Sequence, residues 1–342
     1  MYNFFSTLHP VWTVTTHVSE KYGIMLNMNN TPINRRNTEC WKADVQESVL
    51  FYNNWFLDFA PATYVAARKS AMSRVEDAFA MTKFFCDITP DVLKEHPEMI
   101  SILRMSTTPP LARDRLSGLS DVSKQLLKSF EEGKGCTKEA ELSRVLQIIN
   151  RLLDREILPW LDRGDAPRGA EAKVASAIIG DRVCGSMADP MIRNEQEHRQ
   201  LRCIEAFLLE RGYELVRSKD IPSCTAMAPG TFAYHLNVPA KVARGKKVKI
   251  PVDVAVMRRD AKSGDIPLFI ECKSAGDFTN TNKRRKEEAV KIEQLRKTYG
   301  NDAGLLLFLC GYFDSGYLGY EAAEGIDWVW EHRISDLEKA GV

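Results

Sequence analysis

Apolar residues between Ala43 and Leu161 recur every three or four positions, which is the spacing of amphipathic α-helices. The clearest repeats begin at Val45 and at Leu142. Thr89-Pro90-Asp91 has the composition of a capped helix start, with a hydroxyl at the cap and proline in the first turn. We therefore predict five or six helices here and place a helical domain over residues 41–165.

Beyond residue 165 short apolar runs alternate with helical patterns, which predicts a second domain over residues 166–342. Helices are expected over Ala170–Val183, Asn194–Gly212 and Arg284–Thr298. Strands are expected at Tyr213–Arg217, Thr231–Asn237, Lys247–Met257, Pro267–Lys273, Gly304–Leu309 and Ile326–His332. The fold class is therefore α/β, a helical N-terminal region followed by a mixed β-sheet flanked by helices. Residues 1–40 are set apart as a leader or an over-long start.

Two of the predicted strands contain charged residues. The runs Ile250–Met257 and Pro267–Cys272 flank a polar turn with Ser263-Gly264-Asp265, which predicts a β-hairpin. Asp253 lies in the first run, and Glu271 and Lys273 close the second. Side chains alternate along a strand, so Glu271 and Lys273 point to the same side.

A carboxylate on each of two paired strands predicts an oxygen-rich site for a hard cation such as Mg²⁺. Charged groups in apolar strands are costly to bury unless they are paired or bind metal. A Glu-x-Lys sequence alone is common on solvated helices and in surface ion pairs. The surrounding apolar runs favour the metal-site interpretation, with Asp253 and Glu271 as ligands and Lys273 near the reacting phosphate.

Glu197 is the third acidic candidate. It lies in the predicted helix Asn194–Gly212, four residues before Leu201 and seven before Ile204. This spacing places Glu197 on the apolar, core-facing stripe, where it would be a direct or outer ligand. The alternative is a first-turn glutamate that only complements the helix dipole.

These residues resemble a known nuclease motif. Pro251-Val252-Asp253 followed by Glu271-Cys272-Lys273 is similar to the motif of the PD-(D/E)xK nuclease superfamily, with the aspartate one residue later than in its strict form. From about Trp41 onward the chain also resembles the XamI-type family of type II restriction endonucleases. The segments that carry this resemblance are Trp41–Pro61, Leu103–Leu119, Gly276–Ala289 and Gly311–Ile334.

The resemblance implies a PD-(D/E)xK nuclease core and Mg²⁺-dependent cleavage of both DNA strands at a short palindromic sequence, leaving 5′-phosphates. Asp253 and Glu271 would bind Mg²⁺, Lys273 would act on the attacking water, and Glu197 would complete the acidic set. A homodimer is expected, because a two-fold symmetric pair of sites suits a palindrome. A gene for the cognate DNA methyltransferase is expected as a neighbour.

A basic stretch directly after the second strand is the candidate DNA contact. Consecutive cations at a helix start oppose the helix dipole, and phosphates would relieve that cost. Asparagine side chains there can donate and accept hydrogen bonds at base edges. The alternative is a solvated helix start balanced by Glu287 and Glu288. The candidate residues are Asn280, Asn282, Lys283, Arg284, Arg285 and Lys286.

Composition restricts the remaining choices. The formal net charge is only +1, so DNA binding requires local basic surface. The eight cysteines show no zinc-ligand spacing, which favours reduced thiols in the cytoplasm, and no apolar run is long enough to span a membrane. The six histidines show no ligand pair or triad spacing and receive no role. Two alternatives remain: a PD-(D/E)xK DNA-binding or repair nuclease without restriction specificity, and a metal-dependent phosphoesterase for small substrates.

Overall fold

The computed structural model describes residues 32–134, 138–241, 247–279, 281–301 and 303–342. The helices are α1 (Trp41–Met81), α2 (Pro90–Glu95), α3 (Ile100–Met105), α4 (Arg113–Ser120), α5 (Lys124–Glu131), α6 (Glu139–Leu152), α7 (Trp160–Arg163), α8 (Glu171–Glu210), α9 (Thr281–Tyr299) and α10 (Ser315–Ala323). The strands are β1 (Glu214–Leu215), β2 (Thr231–Lys241), β3 (Lys247–Val256), β4 (Leu268–Ala275), β5 (Leu305–Gly311) and β6 (Asp327–Trp330). The predicted α/β class, with helices first and a mixed sheet after them, is confirmed.

The helical region is built around its own apolar core, to which α1, α3, α5, α6 and the first half of α8 contribute. The predicted start at Thr89 is confirmed, because its hydroxyl accepts a hydrogen bond from the backbone N–H of Val92 at 3.3 Å. Trp160 of α7 donates its indole N–H to the carbonyl of Phe84 at 2.8 Å, which ties α7 to the end of α1. Fully buried members of this core include Val75, Leu103, Leu127, Val145, Trp160 and Ile179.

The predicted break between the helices Ala170–Val183 and Asn194–Gly212 is wrong, because α8 is one helix of 40 residues with Pro190 inside it. The first half of α8 packs in the helical core, and the second half packs on the sheet. An internal proline costs roughly 3 kcal/mol, and the packing of both ends against different cores offsets that cost. Because α1 packs along α8 and also against β5, these two long helices join the helical region to the sheet.

The strands form one sheet in the order β1-β2-β3-β4-β5-β6. Neighbours are antiparallel from β2 to β4 and parallel at β1–β2, β4–β5 and β5–β6. Every residue of β5 is buried, which is typical of a strand that is covered on both faces. α9 packs on one face through Ile292 and Leu295, and α8 packs on the other through Ile204 and Leu208.

β3 and β4 separate beside the charged residues. Their ladder ends at the pair Val254–Ile270, whereas β4 continues to pair with β5 as far as Ala275. The next positions past the end of the ladder are Asp253 on β3 and Glu271 on β4. Backbone groups that lose a strand partner must find other hydrogen bonds. The fork therefore creates a polar cleft within an otherwise apolar sheet.

The segment before α1 is attached to the sheet. The backbone N–H groups of Ile33 and Asn34 donate to the carboxylate of Asp327 at 2.7 and 2.9 Å. Residues 1–31 of the predicted leader lie outside the described residues. Across the described chain, no helix combines the length and the apolarity that a membrane span requires.

Candidate active site

Asp253 occupies the fork between β3 and β4. Its Oδ2 accepts a hydrogen bond from the backbone N–H of Cys272 at 2.8 Å, which replaces a strand partner. Burial, and then the negative charge of Glu271, raise the pKa of the Asp253 carboxyl, against the opposing effects of the Cys272 N–H, Lys273 and Lys291. A cation beside Asp253 would relieve this repulsion, so the surroundings of the carboxyl favour a cation.

Glu271 lies between two lysines. The predicted common orientation of Glu271 and Lys273 is confirmed, because Lys273 Nζ lies 3.0 Å from Glu271 Oε1. Lys291 of α9 places its Nζ 2.7 Å from Glu271 Oε2 and donates to the carbonyl of Pro251 at 2.9 Å. No local sequence pattern marks Lys291, because only the position of α9 beside β4 brings it to Glu271.

Glu288 of α9 contacts the same lysine from the other side. Its Oε1 lies 3.4 Å from Lys273 Nζ, and the residue is only 1% exposed. A solvated role balancing the basic stretch is therefore wrong for Glu288. Burial raises the pKa of Glu288 to about 7, although Lys273 opposes the shift. Burial lowers the pKa of Lys273, but the carboxylates of Glu271 and Glu288 outweigh it and the net shift is upward, so the ammonium stays charged.

A second group of ligand atoms adjoins the fork. Oxygens of Glu197 and Asp253 and a ring nitrogen of His235 lie within 4.8 Å of one another. Among the described residues, these three form the one group of at least three acidic, histidine or cysteine side chains that could hold a metal ion. Glu271 does not belong to this group. Two carboxylates and an imidazole suit a divalent cation, with Mg²⁺ or Mn²⁺ favoured by the oxygens.

His235 reaches this group through an irregularity in β2. The β2–β3 pairs on either side are Tyr234–Val254 and Leu236–Val252, which places His235 opposite Asp253. The backbone φ of His235 is 49°, in the left-handed region that non-glycine residues seldom adopt. Such local strain often marks functional positions. His235 belongs to no spaced motif, and only the β2–β3 register, which brings it opposite Asp253, could have indicated it.

Glu197 lies beside Asp253 as expected, but it is exposed rather than core-facing. The buried stripe of α8 on the sheet begins at Gln200 and continues through Leu201 and Ile204. One turn earlier, where β3 and β4 have separated, Glu197 lies beside Asp253 and is exposed. The spacing thus predicted the correct side of the helix, and the separation of β3 from β4 leaves Glu197 exposed there.

The predicted DNA-contacting stretch forms the start of α9. Arg285 lies over the ring of Tyr320, with its guanidinium carbon 3.6 Å from the ring centroid, and Lys286 is exposed. Because α9 also carries Glu288 and Lys291, this stretch belongs to the helix that contacts the fork. Asn280 lies outside the described residues, as do the side chains of Asn282, Lys283 and Arg284.

Comparisons with known proteins give a consistent result. A family model described as XamI restriction endonuclease matches residues 83–330. The chain is 49% identical over 316 residues to the type II restriction enzyme SalI of Streptomyces albus G, covering 90% of this chain and 99% of that protein. It is 24% identical over 199 residues to the type II restriction enzyme XamI of Xanthomonas campestris pv. amaranthicola, covering 58% and 66%.

Among solved structures, protein VC1899 from Vibrio cholerae is 12% identical and has a TM-score of 0.25, with 73% of this chain and 57% of that chain covered. A likeness at this level supports no conclusion about the fold.

Proposed function

This chain belongs to the XamI restriction endonuclease family, and from that membership we propose that it is a type II restriction endonuclease that uses Mg²⁺ to cleave both strands of a specific DNA sequence. The observation that carries the site assignment is the fork, where Asp253, Glu271 and Lys273 meet at the end of a strand ladder. Family membership disfavours both alternatives, the repair nuclease without restriction specificity and the small-molecule phosphoesterase.

Asp253 would hold the cation, and Glu197 and His235 would be further ligands. Glu271, on the adjoining strand, is also a proposed cation ligand. When bound, a divalent cation lowers the pKa of a nearby water and neutralises charge on the phosphate. The backbone N–H of Cys272 fixes the Asp253 carboxylate through Oδ2, which leaves Oδ1 for the cation. The residues present therefore fit a hard divalent cation.

Lys273 is the proposed catalytic lysine. Its ammonium lies 3.0 Å from Glu271, next to the proposed cation ligands, where it can orient the attacking water and stabilise negative charge on the scissile phosphate. Lys291 holds the other oxygen of Glu271 and is itself fixed by the carbonyl of Pro251. We assign Lys291 the task of holding the Glu271 carboxylate in its orientation. The resemblance to the PD-(D/E)xK superfamily implies that hydrolysis leaves a 5′-phosphate.

The direct test is incubation of the purified protein with plasmid DNA and Mg²⁺, followed by sequencing of the ends. Discrete fragments with one repeated terminal sequence and 5′-phosphates are expected. Random nicking would support the alternative of a nuclease without specificity, and intact DNA at all divalent cation concentrations would contradict the proposal.

The proposed cation ligands Glu197 and His235 can be tested through the Mg²⁺ dependence of cleavage. His235→Ala and Glu197→Gln should each raise the Mg²⁺ concentration needed for the half-maximal cleavage rate by about 10–100-fold, because each removes one ligand of a shared site. Glu195→Gln is the matched control on the same helix, since Glu195 pairs with Arg202 instead. A Mg²⁺ titration under single-turnover conditions measures the effect. Equal Mg²⁺ requirements for all three variants would remove Glu197 and His235 from the site.

We propose that the start of α9, with Asn280, Asn282, Lys283, Arg284, Arg285 and Lys286, contacts DNA. Lys286 is the exposed cation whose position is described there. Lys286→Ala should weaken binding to cognate and scrambled duplexes alike and reduce the slope of log affinity against log salt by about one unit. Lys297→Ala serves as control, because Lys297 lies near the far end of α9 in an ion pair with Glu293. An unchanged salt slope for Lys286→Ala would place the phosphates elsewhere.

The proposal also includes a homodimer and a location in the cytoplasm. A homodimer would present two cleavage sites to the two strands of a palindrome. Sedimentation of the protein with cognate duplex would measure this assembly. The described cysteines are free thiols, which fits the reducing cytoplasm that the composition favours. A cognate methyltransferase gene nearby remains expected.

A further inference from the structure

Glu288 is a buried carboxylate for which the proposed mechanism has no task. It lies on α9, one turn before Lys291, and its two carboxylate oxygens have no hydrogen-bond partner among the described residues. A carboxylate at 1% exposure is costly to bury unless an opposite charge compensates it. The one ion pair recorded for it in the described chain is with Lys273 Nζ at 3.4 Å. Glu288 is therefore placed to act on Lys273.

The other charged groups around Glu288 leave Lys273 as its partner. Glu321 of α10 is fully buried, and burial and then the charge of Glu288 raise its pKa to about 8. Glu321 therefore cannot compensate the charge of Glu288, because a carboxyl group is either neutral or negative. Lys291 favours the ionised form of Glu288, but its ammonium is held by Glu271 and Pro251. Lys273 remains as the cation that compensates Glu288.

Lys273 is shared by two carboxylates that have different tasks. Glu271 is a proposed cation ligand, and an oxygen drawn toward a cation is withdrawn from Lys273. Glu288 comes from α9, is closed off from solvent, and pairs with Lys273. It can therefore hold the lysine when Glu271 cannot.

We propose that Glu288 is the positioning residue of Lys273, which keeps the ammonium at the reacting phosphate once Glu271 binds the cation. This inference rests on the proposed function and adds a residue to it. Glu288 acts through Lys273 and touches neither DNA nor cation. α9 thereby contacts both charged residues at the end of β4, Lys273 through Glu288 and Glu271 through Lys291.

The test compares Glu288→Gln with Glu293→Gln. Glu293 lies on the same helix, but its side chain is 60% exposed and pairs with Lys297. Glu288→Gln keeps the shape and removes the charge, so the single-turnover cleavage rate should fall about 10–100-fold, the usual effect of losing a partner that orients an active-site group. Affinity for cognate DNA in Ca²⁺ and the thermal unfolding midpoint should stay at the wild-type value or above. Glu293→Gln should match wild type in all three measurements.

A wild-type rate for Glu288→Gln would overturn the inference, since the charge would then be dispensable. Parallel losses of rate, affinity and unfolding midpoint would also overturn it, because they indicate a packing role. If Glu288→Gln does not fold, Glu288→Asp retains the charge but withdraws it from Lys273. The aspartate variant should lose rate at unchanged affinity, and a full rate would again overturn the inference.

A double-mutant cycle separates action through Lys273 from independent action. In the Lys273→Ala background, Glu288→Gln should cost no further rate, because the group it positions is absent. A full additional loss would show that Glu288 acts on something else. Failure of the proposed function looks different, because the wild-type protein would then leave the DNA intact, and failure of the site assignment would leave Asp253→Asn fully active. Failure of this inference alone leaves wild type active, Asp253→Asn inactive and Glu288→Gln fully active.

Discussion

Asp253→Asn is expected to abolish DNA cleavage while leaving specific DNA binding intact. The amide is nearly the same size as the carboxylate, and its carbonyl oxygen can still accept the hydrogen bond that Cys272 N–H donates to Asp253. The fork should therefore keep its shape. What is lost is one of the two carboxylate charges in the group of Glu197, His235 and Asp253, which we propose as the cation site. Cation catalysis is worth several kcal/mol, so the rate should fall by about three orders of magnitude or more.

The measurements for Asp253→Asn are single-turnover cleavage in Mg²⁺ and affinity for cognate against scrambled duplex in Ca²⁺. Asp265→Asn is a suitable control, because Asp265 lies in the exposed turn between β3 and β4 and caps only the backbone N–H of Lys262. Full cleavage by Asp253→Asn would refute the site assignment. Loss of specific binding together with cleavage would instead assign Asp253 a part in shaping the DNA surface.

Lys273→Ala is expected to lower the cleavage rate by about two to three orders of magnitude, the scale for removing one group that stabilises transition-state charge. Burial would favour neutral lysine, yet the pKa of Lys273 is raised because Glu271 and Glu288 outweigh burial. The group is thus held as an ammonium beside the fork. Its removal also leaves Glu288 without its described ion pair, so Glu288 should bind a proton more readily.

Affinity and metal dependence separate the possible causes for Lys273→Ala. DNA affinity in Ca²⁺ should remain close to wild type, since the lysine is largely buried and contributes little to long-range attraction of DNA. The Mg²⁺ requirement should change far less than the maximal rate. Lys262→Ala, at an exposed turn residue, is the control. A rate within about threefold of wild type would shift the catalytic role from Lys273 to another cation, and Lys291 is the nearest to Glu271.

The elements that local pattern specifies were predicted from the sequence. Strands β2, β3, β4 and β5 follow from apolar runs bounded by turn residues, because a strand in a sheet core needs such a run irrespective of its neighbours. The predicted break between Val183 and Asn194 was wrong, and α8 continues through Pro190 although proline disfavours a helix locally. Packing of the two ends of α8 against separate cores outweighs that preference, and no local window of sequence contains those contacts.

The sequence by itself determined the α/β class, the hairpin, and the placement of Asp253, Glu271 and Lys273, because a charge in an apolar strand signals chemistry without reference to the fold. The assignment of these residues to catalysis remains a prediction. Only the tertiary structure decided that His235 faces Asp253, that Glu197 is exposed to the cleft, and that Glu288 and Lys291 reach β4 from α9. The reason is physical: helix and strand periodicity fix the direction of a side chain on its own element, whereas the distance between elements depends on strand register, on the edge of the sheet and on how each helix packs.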